Sequence, residues 1–377
     1  MDIAIWGCGK LGRYMAEQCL ANMNTVYFID NDKEQQGKVI DHIPVISAEK
    51  LSKIYPEKVE AILIGVSSMT NTASIIAQLD TMGIGHIGIF QKRLDCSRKL
   101  DWHDLLWLDR LDRPILPYLE MNIIDTCNLD CKGCTHFSNL FQGNTEMNLD
   151  DFQRDLKQVA QNVKILSLRL LGGEPLLNTQ LLEYIKLAHK ILPETSIHIV
   201  SNGLLIPKQN VDFFNCLKEN NIRIDISLYL PTLKMKEKIV DVLEINHIEY
   251  SLSGKIDRFY RTINEKGNSD IIVAHNSCLQ KQCTFLRHGR IYTCPYEGMI
   301  YKYIEYFHLE HFKLNPDTFG VDIYDESVSW CDLFKNLCKP IALCAYCSEN
   351  GGEFFDWTVS AHPEKNEWLI KQEDIYL

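Results

Sequence analysis

The stretch CNLDCKGC, Cys127 to Cys134, sets three cysteines in a C-x3-C-x2-C array directly after the alternating run YLEMNIIDT. Thiolate is the form that binds metal, and iron and zinc are its usual partners. Three thiolates can hold three irons of a cubic 4Fe-4S cluster and leave the fourth iron open to a small ligand. A zinc site completed by a fourth side chain, His136 for one, is the alternative that the spacing leaves open.

Two further strand-like runs end in groups that suit such a ligand. LRLLGGEP ends in Gly172, Gly173, Glu174 and Pro175: glycines allow close backbone approach, and the Glu174 carboxylate can pair with an ammonium. SIHIVSNG ends in Ser201 and Asn202, small polar groups suited to a ribose. Ammonium and ribose recognition beside an open iron describes S-adenosylmethionine.

The conjunction of CNLDCKGC, GGEP and SNG, in that order from Tyr118 to about residue 255, resembles the radical SAM superfamily. The resemblance implies that Cys127, Cys131 and Cys134 hold the cluster. It also implies that Gly172, Gly173 and Glu174 meet the methionine amino group, and that Ser201 and Asn202 contact the ribose. In that chemistry a reduced cluster passes an electron into the sulfonium, and the resulting 5′-deoxyadenosyl radical takes a hydrogen atom from an unactivated C–H bond. An electron donor such as flavodoxin or ferredoxin is the implied partner. One position departs from the family pattern: an aromatic residue often precedes the third cysteine, and here it is Gly133, so adenine stacking falls to Phe137 or elsewhere. Glu120 and Asn122, which share a strand face, and Asp225 or Tyr229 are candidates to line the substrate space.

Cysteines gather again from Cys278 to Cys347. Cys278, Gly289 and Cys294 give C-x10-G-x4-C, and Cys344 with Cys347 gives C-x2-C. This resembles the SPASM and twitch extensions of radical SAM enzymes, which implies an auxiliary 4Fe-4S cluster held by Cys294, Cys344, Cys347 and either Cys278 or Cys283. Structural zinc is the alternative. Cys331 and Cys338 fall on one helical pattern and read as buried core thiols, or as a thiol that returns a hydrogen atom to a substrate radical.

Elements that position these groups follow from periodicity. Strand-like runs YLEMNIID, KILSLRLLG, SIHIVSN, IRIDISLY and IEYSLS alternate with helical patterns such as LNTQLLEYIKLAHKIL. Repeated strand-helix units imply parallel strands in an open sheet or partial barrel, with the site at the strand C-terminal ends. The first 90 or so residues form a second strand-helix series. There GCGKLG supplies Gly7, Gly9 and Gly12 between a strand and a helix, and Asp30 ends the next strand. This is similar to a Rossmann layout for a dinucleotide or nucleotide sugar, or to a relative that keeps the turn for helix packing alone. FIDNDKEQQGKVIDHIPVIS resembles the N-terminal domains of sugar-modifying enzymes in bacterial surface-polysaccharide pathways.

The expected fold is α/β: a Rossmann-like domain over 1–95, a linker over 96–117, a radical SAM partial (β/α) barrel over 118–265 and a SPASM/twitch-like domain over 266–377. With 377 residues the chain can bury a substantial core. Its start lacks a signal-peptide pattern, and no apolar run approaches the roughly 18 residues of a membrane span. Fourteen cysteines in a cytoplasmic, reducing setting read as metal-binding or catalytic rather than disulfide-bonded. A net charge of −11 without a basic stripe argues against nucleic acid. The expected reaction is oxidation or epimerisation of a sugar, nucleotide sugar or glycan precursor. A peptide-modifying maturase and a non-catalytic iron-sulfur or zinc scaffold are the competing readings.

Overall fold

A computed structural model describes residues 1–19, 22–66, 69–90, 100, 105–108, 113–143, 145–281, 283–309, 312–330, 333, 337 and 339–371. Cys96, Cys331 and Cys338 lie outside the described residues. The chain divides into two compact units, Met1–Pro117 and Tyr118–Leu377.

In the first unit β1 (Asp2–Trp6), β2 (Asn24–Ile29), β3 (Val39–Ile40), β4 (Ile43–Ile46), β5 (Ala61–Ile64), β6 (Ile87–Phe90) and β7 (Leu105–Leu108) form one sheet in the order β3-β4-β2-β1-β5-β6-β7. The central pairs are parallel, and β3 and β7 are antiparallel edges. Helices α1 (Lys10–Glu17), α2 (Ala48–Ile54) and α3 (Met69–Thr81) provide the crossovers, and a short β8 (Ile115–Leu116) follows. Central strands covered on both faces read as unbroken apolar runs. Accordingly Ile3, Ala4, Ile5, Ala61, Ile62 and Leu63 are fully buried. The apolar LLWL of β7 extends this sheet into the stretch read from sequence as a linker.

The second unit holds β9 (Leu119–Ile124), β10 (Lys164–Ile165), β11 (Ser167–Gly172), β12 (Ser196–Ser201), β13 (Arg223–Tyr229), β14 (Tyr250–Ile256), β15 (Arg258–Arg261), β16 (Phe285–Arg287), β17 (Arg290–Tyr292), β18 (Val321–Asp322) and β19 (Glu353–Asp356). Its main sheet runs β14-β13-β12-β11-β9-β16-β17-β18. Strands β14 to β9 are parallel, β16 joins β9 in parallel, and the β16–β17 hairpin extends the edge. The region read as a separate C-terminal domain thus begins by extending the same sheet. The hairpin turns on His288 (φ 49°) and Gly289 (φ 69°), the left-handed pair that a two-residue turn demands.

Helices α4 (Leu149–Asn162), α5 (Leu181–Ile191), α6 (Val211–Glu219) and α7 (Leu230–Ile245) separate the parallel strands; α8 (Ile271–Ser277) and α9 (Pro295–Tyr306) follow. Helix α4 starts where Asn148 Oδ1 accepts from the Asp150 and Asp151 amides, an N-cap that satisfies two orphan donors. Helix α5 buries Leu181, Tyr184, Ile185 and Ala188 at i, i+3, i+4 and i+7 spacing. Leu168, Leu170, Ile199 and Ile224 are fully buried. By the strand alternation, the opposite face of the same strands carries Glu120, Asn122, Arg169, His198 and Asp225. No described helix is long and apolar enough to cross a membrane.

Candidate radical-chemistry site and second cysteine group

The cysteine loop leaves the C-terminal end of β9 through Asp125 and Thr126. Asp125 is pinned by a bidentate pair with Arg287 of β16 at 2.8 and 2.7 Å, and Asn122 Nδ2 donates to it at 3.1 Å. Next to this exit β11 ends in Gly172, at φ +134°. A Cβ on Gly172 would lie 1.8 Å from the Ile124 carbonyl oxygen, and one on Gly173 would lie 2.0 Å from that of Thr126. The Gly173 and Glu174 amides donate to those same carbonyls at 2.9 and 3.0 Å. These glycines permit a close approach to the chain's own backbone at the exit of β9.

Glu174 is fully buried. Its Oε1 accepts from Ser201 Oγ at 2.7 Å and the Leu176 amide at 3.1 Å, and its Oε2 from the Asn202 amide at 2.9 Å. Burial pushes its pKa up to about 7 despite these bonds. A carboxylate offers about four acceptor positions, and these bonds fill three of them. Ser201 also accepts from the Gly203 amide, and Asn202 Nδ2 donates to Asn128 Oδ1 at 2.7 Å, beside Cys127. Ser201 thus ties the ends of β11 and β12, and Asn202 frames the cysteine loop.

The three thiols come together in one apolar patch with Leu129 and Trp357, flanked by Leu204, Tyr229 and Phe259. Burial, then the nearby Glu174 carboxylate, pushes the Cys127 thiol up to about 12, and burial raises Cys131 further still. Three thiols on one apolar patch are a soft donor set, which fits an iron-sulfur centre. Among the described residues no three His, Cys, Asp or Glu side chains gather as a set for a single metal ion.

Several sequence candidates find other surroundings. His136 is half-buried, and desolvation lowers its pKa to about 4; the charges acting on it are Asp125 and Arg287. Phe137 is fully buried at φ 53°, packed on Tyr296, Tyr303 and Trp368. It is a core residue, which removes it as an adenine platform. Tyr229 packs against the thiol patch. Asp225 lies deeper, bonded to His198 Nδ1 at 2.9 Å and Ser251 at 2.5 Å, with Arg169 and Arg223 each at 3.3 Å. Glu120 Oε2, Asn122 Oδ1 and Arg169 Nε are buried without a hydrogen-bond partner.

Sequence reasoning missed the C-terminal segment. Trp357 Nε1 donates to Cys131 Sγ at 3.2 Å, and Trp368 Nε1 to the Cys134 carbonyl at 2.8 Å. A Cβ on Gly133 would lie 2.8 Å from the Glu367 carbonyl oxygen and 2.9 Å from Phe355 Cζ. That contact explains the glycine before the third cysteine. The aromatic cluster EFFDW was the only sequence signal for it.

In the second group Cys278 ends α8, Cys294 caps α9, and Cys344 and Cys347 bracket a tight turn in which the Cys347 amide donates to the Cys344 carbonyl at 3.0 Å. After burial, which raises all three, the Cys294, Cys344 and Cys347 thiols each sense Cys278. Cys283 acts on Tyr118 and Arg169, beside β9 and β11, and, after burial, raises the Tyr260 hydroxyl together with Cys278 and Cys294. Both candidates for the fourth position thus lie near this group, and Cys278 is the one that acts on each of the other three thiols.

In the first unit Gly7 (φ +107°) turns the chain, and a Cβ on Gly12 would lie 1.8 Å from the Gly7 carbonyl oxygen. A Cβ on Gly9 would meet nothing within 4 Å. Asp30 Oδ2 accepts from the Cys8 amide and the Cys8 thiol, both at 3.0 Å, and Oδ1 from the Asp32 amide at 3.0 Å. Its carboxylate braces the glycine turn.

Residues 121–244 match the Radical SAM superfamily. Two curated relatives are GTP 3′,8-cyclases. That of Clostridium acetobutylicum is 33% identical over 112 residues, 29% of this chain and 35% of that enzyme. That of Clostridium perfringens strain SM101 is 31% identical over 144 residues, 37% of this chain and 42% of that enzyme. The chain spans well under half the length of these relatives. A solved structure of BtrN in complex with AdoMet and 2-DOIA aligns at a TM-score of 0.39 and 16% identity, covering 61% of this chain and 92% of that one.

Proposed function

With a radical SAM superfamily domain over residues 121–244, we propose that this chain cleaves S-adenosylmethionine reductively and oxidises or epimerises a sugar, nucleotide sugar or glycan precursor at an unactivated carbon. The observation that carries the reading is the meeting of Cys127, Cys131 and Cys134 in one apolar patch beside the Glu174–Ser201–Asn202 frame. When bound, a 4Fe-4S cluster and S-adenosylmethionine supply the electron and the hydrogen-abstracting radical.

The protein's contribution is placement and the exclusion of water. Leu129, Trp357 and Phe259 dry the thiol patch. Glu174 keeps one acceptor position for the methionine ammonium while fixing the ends of β11 and β12. Glu120 Oε2 and Asn122 Oδ1 are acceptors in want of donors, and Arg169 Nε is a donor in want of an acceptor. A hydroxylated ring offers both on neighbouring carbons, which supports a sugar-type substrate. Cys278, Cys294, Cys344 and Cys347 are the four thiols suited to an auxiliary 4Fe-4S cluster, and a flavodoxin or ferredoxin is the natural electron donor.

The test is anaerobic turnover of the reconstituted protein with C–H-deuterated candidates, following deuterium into 5′-deoxyadenosine. Transfer from a sugar or nucleotide sugar supports the reading. Transfer only from a peptide, or consumption of GTP, the substrate named for the curated relatives, overturns the substrate class.

A further inference from the structure

The ribbon of β15 and β19 pairs Arg258 with Asp356 and Phe259 with Phe355. Its end delivers Trp357 to the cysteine loop, with the Trp357 amide donating to the Asp257 carbonyl at 2.8 Å. The loop is then stitched on both sides of Cys131. The Lys132 amide donates to the Thr358 carbonyl at 2.9 Å, and the Ser360 amide to the Asp130 carbonyl at 2.8 Å. Between these bonds the indole N–H meets Cys131 Sγ at 3.2 Å, with Trp357 8% and Cys131 7% exposed. Tyr229 lies against the indole at 5.8 Å between ring centroids.

We propose that Trp357 sets the reduction potential of the centre held by Cys131, through its N–H···S hydrogen bond. The inference rests on the proposed role of Cys131 as a cluster ligand. Reduction adds negative charge that is shared by the ligating sulfurs, and a donor aimed at one of them stabilises the reduced form more than the oxidised form. Hydrogen bonds to the sulfurs and solvent exposure are the protein's two levers on such a potential, and Trp357 works both. The donor comes from a segment more than two hundred residues along the chain (|i−j| = 226). Seating of the C-terminal segment is thereby coupled to the ease with which the centre takes an electron.

Trp357→Phe keeps the ring and deletes the donor. In anaerobically reconstituted protein, the EPR signal that responds to S-adenosylmethionine should titrate to a lower midpoint potential in this variant, with iron content unchanged. In the parent labelled with 15N-indole, pulsed EPR of the reduced centre should show a nitrogen coupling that the variant lacks. An unchanged midpoint overturns the proposal, as does the absence of indole coupling in the parent. If Trp357→Phe loads no iron, the coupling is read in labelled Trp368→Phe, which removes the indole N–H at the Cys134 carbonyl: its persistence assigns it to Trp357, and its loss overturns the proposal. Cys131→Ala separates the two claims: retention of the full iron content would refute the ligand assignment, whereas its loss beside an unmoved Trp357→Phe midpoint would refute only the tuning role.

Discussion

Ser201 Oγ donates to Glu174 Oε1 at 2.7 Å where neither residue reaches solvent, tying the end of β12 to the end of β11. Burial, opposed by hydrogen bonds from Ser201, Asn202 and Leu176, places the Glu174 pKa near 7. A carboxyl raised on folding is protonated in the native state while the unfolded chain has already ionised. Stability is therefore greatest below the ordinary glutamate range and falls as pH rises through it towards about 7. Glu174→Gln should flatten that slope in urea titrations of the apo-protein between about pH 4.5 and 7. An identical slope in parent and variant would show that Glu174 does not carry it.

The Asp125–Arg287 pair fastens the exit of β9, two residues before Cys127, to β16. Its side chains are 6% and 11% exposed. Arg287→Met leaves a buried, uncompensated carboxylate, an event that costs about 3–5 kcal/mol. Chemical denaturation should report a loss of that order, with reduced iron loading as its companion. A loss under about 1 kcal/mol would place the pair among surface-like bridges.

Cys278 and Cys283 separate by partner. Cys278→Ala should remove one auxiliary cluster, about half of the roughly eight irons expected from two cubanes, while Cys283→Ala should leave iron content intact. Iron loss confined to Cys283→Ala would reverse the assignment.

The glycine turn of the first unit separates fold from binding. Gly12→Ala should destabilise it strongly, because its Cβ would collide with the Gly7 carbonyl, whereas Gly9→Ala meets open space and should leave the melting temperature unchanged. If the turn holds a nucleotide or nucleotide sugar, Gly9→Val should abolish saturable binding in calorimetry without unfolding the protein. Equal binding by parent and variant would assign the turn to helix packing alone.

The strand ends were legible because local patterns suffice for them: alternation marked β9, β11, β12 and β13, and the motifs fell where those strands stop. Spacing alone leaves Cys278 and Cys283 equal as the fourth thiol beside Cys294, Cys344 and Cys347, since the two differ only in the direction the chain takes after α8. Glu174, Ser201 and Asp30 read from sequence as ligand-binding residues; the bonds by which they also tie strand ends and the glycine turn together join separate segments, a relation that no motif records. Trp357 and Trp368 reach the cysteine loop only through the β15–β19 ribbon, whose pairing joins residues far apart in the chain.

The central claim is that Cys127, Cys131 and Cys134 together support reductive cleavage of S-adenosylmethionine. The direct measurement is 5′-deoxyadenosine released by reduced, iron-loaded protein, compared with the Cys127→Ala, Cys131→Ala and Cys134→Ala variants across the substrate panel. Release by the parent and its loss in all three variants is the predicted result. No release by fully loaded, fully reduced parent with any substrate class, or undiminished release by any of the three variants, would contradict the account.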